Sequence, residues 1–137
     1  MNTPLNSGYS ERTLSQKLGL MPGMNTISLN APRGYKEWLG QASTLIKSKS
    51  TPPWDFVHLF TNQISVLENQ LFNLRNQLNS DGMVWVSWHK KSSKLQTEIT
   101  EDIIRDTCLP LGFVDIKVCS VSKEWSGLKL VIRKSLR

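Results

Sequence analysis

The feature that most constrains this chain is a change of hydrophobic period in its middle. Asp55–Phe60 reads DFVHLF, an apolar run preceded by Pro52-Pro53 and followed by Thr61-Asn62. A short run of this kind between breakers is expected to be a strand covered on both faces. Beyond it, Ile64, Leu67, Leu71, Leu74 and Leu78 fall three and four apart, one stripe of a helix expected over 62–78 with Asn and Gln on its other faces. Asn79-Ser80-Asp81-Gly82 reads as a stop, and Met83–Trp88 (MVWVSW) as the next strand. Strand, helix and strand in that order make a parallel crossover unit.

The flanking segments extend the pattern. Residues 1–9 are polar and read as a flexible tail, leaving 10–137 as a single domain. Ser10 caps an expected helix over 11–18, which Gly19 ends. Residues 25–30 (NTISLN) read as a strand, 35–39 as a helical turn or two, and 44–47 as a weak second strand. After the basic loop 89–97, Thr100 caps a helix with Glu101 and Asp102 in its first turn, ending near Pro110 and Gly112. Val114–Val121 and Leu128–Lys134 are expected to close the chain as an antiparallel hairpin across 122–127. The expected fold is α/β, a three-layer, mostly parallel sheet with right-handed crossovers that ends in an antiparallel hairpin.

Composition excludes several classes. At 39% apolar residues with five Trp and four Phe, the 137 residues support a packed core and are not a disordered chain. No apolar run approaches the ~20 residues that span a bilayer, so no membrane partner is expected. Residues 1–10 carry no charge and no apolar stretch, so no secretory signal is expected; with Cys108 and Cys119 the only cysteines, a reducing cytoplasm is the expected location. Seventeen Lys and Arg against eleven Asp and Glu give a net charge of +6. The charge is segregated: Lys117–Arg137 holds six basic residues and Glu124 alone against them, whereas Glu98–Asp115 holds five acids and one Arg. Such a surface favours anionic partners.

In parallel α/β sheets, ligands sit beyond the C-terminal ends of the strands, so the residues after each strand are the candidates. These are Asn30, Arg33 and Tyr35 after the first strand, Thr61 and Asn62 after DFVHLF, and His89, Lys90, Lys91 and Ser93 after MVWVSW. A nucleotide or S-adenosylmethionine site needs a glycine-rich first turn and an acid after the second strand. Here the turn is Asn-Ala-Pro-Arg-Gly, and Lys47-Ser48-Lys49 stands where the acid belongs, so no cofactor is expected. Two histidines 31 positions apart, without Cys or carboxylate at ligand spacing, give no metal site. His58, within a covered strand, reads either as a neutral hydrogen-bonded core residue or as a base at the floor of a cleft. The run from His89 to Lys94, beside Trp88, combines cations and hydroxyls; it reads as a phosphate or carboxylate site with Arg33 closing over it. Its alternative is a solvated loop whose Lys91 or Lys94 pairs with Glu98 or Glu101. The two cysteines read as small buried hydrophobes.

The blocks Gly8-Tyr9-Ser10, Lys17-Leu18-Gly19, Asn30-Ala31-Pro32-Arg33-Gly34-Tyr35, Asp55–Phe60, Trp85-Val86-Ser87-Trp88 with Lys90-Lys91, and Trp125–Lys134 together resemble a widespread bacterial family of short proteins of unknown function. The resemblance covers nearly the whole chain beyond the tail and implies no catalytic residue. The chain differs from it at His89, where the resemblance implies proline. The order of elements is also similar to a shortened class I methyltransferase sheet, implying a Rossmann-like fold by analogy of fold alone.

The leading expectation is a small non-catalytic α/β binding or interaction domain. Its ligand-binding residues are Asn30, Arg33, Tyr35, His58, Trp88, Lys90 and Lys91, converging on one rim around an anionic small molecule. One alternative is a degenerate methyltransferase-like enzyme with His58 as base. Another is a nucleic-acid binder using the basic C-terminal hairpin.

Overall fold

The computed structural model describes residues 12–137. The expected tail and the Ser10 cap lie outside the described residues. The run read as a doubly covered strand is β2 (Trp54–Phe60), buried except at Asp55. It is followed by α3 (Ile64–Arg75) and β3 (Leu78–His89). Before them come α1 (Leu14–Leu18), β1 (Thr26–Leu29) and α2 (Tyr35–Leu39); after them come α4 (Glu101–Cys108), β4 (Phe113–Ser120) and β5 (Trp125–Ile132). The five strands form one sheet in the order β1-β2-β3-β5-β4, with β5 antiparallel to both neighbours and the first three strands parallel.

Alternation along the strands divides the core into two layers. On one face Leu67, Leu71 and Leu74 of α3 and Ile104 and Cys108 of α4 pack on Val57, Leu59, Val84 and Val86. On the other, Leu18 of α1 and Tyr35 and Leu39 of α2 pack on Phe56, Phe60, Met83 and Trp85. The Trp85 indole is held there, Nε1 donating to the Leu18 carbonyl at 2.8 Å. Among the described residues no helix is long and apolar enough to cross a membrane.

Residues 44–47 form no strand: Gly40–Leu45 is a 3-10 turn. Its exit is tied to a side chain, because Thr26 Oγ1 donates to the Leu45 carbonyl and accepts from the Lys47 amide. Leu78 continues the helical spacing but starts β3, pairing with Trp54. The register then jumps to Phe56 opposite Met83, so Asn79–Gly82 forms an irregular stretch inside β3 instead of a stop. Asp55 holds it, accepting from Asn79 Nδ2 and from the Asn25 amide. Trp125–Gly127 belongs to β5, not to the hairpin turn.

The crossovers differ from expectation in their hand. β1, β2 and β3 are successive parallel neighbours. The link from β1 to β2 runs over the α1/α2 face, whereas α3 crosses on the other. Two crossovers that step the same way over opposite faces have opposite hands, so one departs from the right-handed rule. Parallel strand order therefore never reverses beside β1, which lies at the sheet edge.

Candidate functional site

The turn after β1 is built on two left-handed residues. Asn30 has φ 60° and Gly34, which opens α2, has φ 104°, a conformation that suits glycine. A hollow of about 340 Å³ opens beside this turn, lined by Ser28, Pro32, Arg33, Tyr35 and Glu37. Arg33 is exposed, whereas Tyr35 turns inward.

The Tyr35 hydroxyl meets His58 Nδ1 at 2.8 Å, and His58 Nε2 meets Ser87 Oγ at 2.8 Å. A neutral imidazole has one donor and one acceptor nitrogen, and both hydroxyls can serve either role, so the chain of three is satisfied. The ring stacks on Phe60 at 4.1 Å and is fully buried. Burial pushes its pKa down to about 3, and burial likewise raises the Tyr35 phenol. This is the geometry of the neutral core histidine.

A larger cleft, about 1150 Å³, lies beyond the ends of β2 and β3. Asn62 stitches it together: its side-chain oxygen accepts from the His89 amide at 2.8 Å, and its carbonyl accepts from the Glu98 amide. Glu98 Oε1 accepts from the Ile64 amide at 2.8 Å, satisfying one of the open donors at the start of α3. Ser93 is a turn device, its hydroxyl donating to the Lys90 carbonyl and accepting from the Leu95 amide. Trp88, buried in the α3/α4 layer, forms part of the wall.

The charges lining the cleft are unequally engaged. Glu98 caps α3, and Glu101 and Asp102 are paired with Arg105 at 3.5 and 3.1 Å. Arg105 also donates to Asp115 at 2.8 Å, which raises the guanidinium pKa and lowers that of the Asp115 carboxyl. Lys91 and Lys94 are exposed and make no ion pair among the described residues, so the pairing with Glu98 or Glu101 does not form.

The expected rim is divided. Trp88 and Lys91 share the cleft, and Arg33 and Tyr35 share the hollow, with no lining residue in common. Asn30, His58 and Lys90 line neither. Lys90 turns toward the hairpin, its Nζ donating to Ser120 Oγ at 2.6 Å. Glu98, expected only as a partner for Lys91 or Lys94, caps α3 instead; a carboxylate 34 residues from the amide it caps leaves no local signal. Cys108 is buried, its thiol pushed up to about 11 chiefly by burial, and Cys119 is half-buried in β4.

No family model and no curated protein sequence matches the chain. Solved structures do. A ribosomal protein L11 methylase from Lactobacillus delbrueckii subsp. bulgaricus aligns with TM-score 0.55 at 11% identity, over 88% of this chain and 75% of that one. A magnesium protoporphyrin IX methyltransferase from Synechocystis PCC 6803, solved with bound SAM (S-adenosylmethionine), aligns with TM-score 0.57 at 12% identity, over 88% and 74%. A SAM-dependent methyltransferase from Corynebacterium glutamicum aligns with TM-score 0.52 at 11% identity, over 92% and 90%. At such identities the likeness concerns the backbone alone. The chain has a five-stranded, Rossmann-like α/β fold of the kind found in class I methyltransferases.

Proposed function

We propose that this chain is a small, non-catalytic α/β binding domain that holds an anionic group in the cleft beyond β2 and β3. Lys91 and Lys94 supply the charge and Trp88 a flat apolar wall. The observation that carries this reading is the imbalance in the cleft: its three carboxylates are engaged by an amide or by Arg105, while its two lysines have no acidic partner among the described residues. A phosphate or carboxylate would complete them. The sequence blocks support membership of the bacterial family they resemble.

The fold raises S-adenosylmethionine as a cofactor, and the residues present do not fit it. A cofactor cradle of this fold needs backbone amides after β1 and an acid on the next strand outward. Here Pro32 has no amide to give, and among the described residues β1 is the sheet edge with no strand beyond it. The one base once available for such chemistry, His58, has both nitrogens occupied.

Calorimetry tests the reading. Pyrophosphate is expected to bind the wild type at micromolar to millimolar concentration and to lose about tenfold or more in a Lys91→Gln/Lys94→Gln variant, because each charge-assisted contact contributes about 1.5–3 kcal/mol. Heat on titrating S-adenosylmethionine, with none from pyrophosphate, would overturn it in favour of the methyltransferase-like enzyme.

A further inference from the structure

Side chains of one parity line up on the α1-bearing face of the C-terminal hairpin. Trp125, Gly127 and Lys129 follow one another on β5, with Cys119 opposite Gly127 and Lys117 opposite Lys129 on β4. Lys117 and Lys129 are thus like charges placed directly across two strands, an arrangement that destabilises a sheet. Lys90 reaches the end of the hairpin from beyond β3, its Nζ on Ser120, the neighbour of Cys119 that alternates to the other face. Lys17 joins from the last turn of α1. The charges of Lys17, Lys117 and Lys90 all reach the Cys119 thiol, opposing the upward push of burial, and burial with Lys117 lowers the pKa of the Lys129 ammonium.

None of these four lysines has a carboxylate partner among the described residues. Among the described residues Arg105 pairs with Glu101 and Asp102 and also takes Asp115, the acid of β4. None of the four lines the anion cleft. An opposed lysine pair with no acid between them among the described residues carries a repulsion that an external anion relieves.

We propose that this face is a docking track for the phosphodiester backbone of a single-stranded nucleic acid. Lys117 and Lys129 stand on one rung of the hairpin, and Trp125 lies four residues away along β5. Trp125 to Lys129 alone spans about 13 Å at ~3.3 Å per residue, a length that linked phosphates follow and one phosphate does not. At the end of the track Trp125 packs with the His89 ring at 4.3 Å, both half-buried, an aromatic surface for an unpaired base. A duplex keeps its bases stacked inside and makes no use of it. The exposed apolar residue Val118 pairs with Leu128 and so belongs to the opposite face.

Fluorescence anisotropy with labelled oligo-uridine and oligo-thymidine of about 15 nucleotides tests this, a length suited to one small domain. Four neutralised phosphates give a slope of about −2.8 in log K against log salt, or about 50-fold weaker binding between about 50 and 200 mM. A Lys117→Gln/Lys129→Gln variant, whose fold is checked by circular dichroism, is expected to halve that slope, leaving about a sevenfold loss over the same range. Binding of either oligomer with these slopes supports the track, and the better binder identifies RNA or DNA as the source. No binding at about 50 mM salt, an unchanged slope in the variant, equal affinity for a duplex of the same length, or equal affinity for phosphatidylglycerol vesicles would each overturn it.

Discussion

Substituting His58 isolates the most sharply defined electrostatic feature of the core. The unfolded chain titrates His58 at its ordinary value of 6.5, while the fold holds it down to about 3 by burial. Between those values the unfolded chain binds a proton that the native state excludes. The stability linked to His58 is therefore complete above 6.5 and falls as pH drops toward 3, by about 1.4 kcal/mol per pH unit. By about pH 4.5 the accumulated loss is about 3 kcal/mol, a large share of the ~5–15 kcal/mol that holds a domain of this kind. Asp115, whose carboxyl is held low by Arg105, adds its own loss only at lower pH, as its carboxylate takes up a proton. Urea unfolding at stepped pH from 7.5 to 4.5 (about half-unit steps) gives the slope directly. His58→Gln, which keeps a donor and an acceptor between Tyr35 and Ser87 but does not titrate, is expected to be less stable throughout and to lose most of the slope. A wild type whose stability is flat across this range, or a variant with the wild-type slope, would refute the assignment of a neutral, doubly bonded imidazole.

Other substitutions read other contacts. Glu98→Ala removes the carboxylate that accepts from the Ile64 amide and is expected to cost about 1 kcal/mol in urea unfolding, the usual worth of a side chain closing a helix start. Gly82→Ala places a methyl group 2.8 Å from the Trp54 carbonyl oxygen, a backbone atom that cannot swing away; about 1–3 kcal/mol of destabilisation is expected in the same assay. Lys117→Gln relieves the cross-strand repulsion with Lys129 and is expected to stabilise the protein by about 0.2–1 kcal/mol in low salt. That gain should shrink as salt screens the pair, readable as a narrowing difference in Tm.

Much of the architecture is legible in the sequence because it rests on local pattern. The stripe Leu67, Leu71, Leu74 fixes the buried side of α3, and Thr100 starts α4 where a capping hydroxyl precedes two acids. The unread features depend on contacts distant in sequence. Leu78 keeps helical spacing with Leu74, yet it is buried as the first residue of β3. Gly127 looks like a turn residue next to Ser126; in β5 it is a close-approach residue, since a Cβ there would meet Val121 and Trp85 at 3.0 and 3.1 Å. No periodicity encodes the hand of a crossover or the insertion of β5 between β3 and β4. The division of the expected rim has the same origin. Strand-end position is readable, but whether Arg33 and Lys91 face one cavity depends on how far apart the packed layers hold their loops.

An anion held at the cleft lysines perturbs the residues around it. A two-dimensional amide and indole NMR titration with pyrophosphate localises that event residue by residue. The expected result is movement of the Trp88 indole and of the Lys91–Gln96 amides, with the amides around Arg33 still. Shifts confined to Arg33 and its neighbours, or none at millimolar ligand, would contradict it.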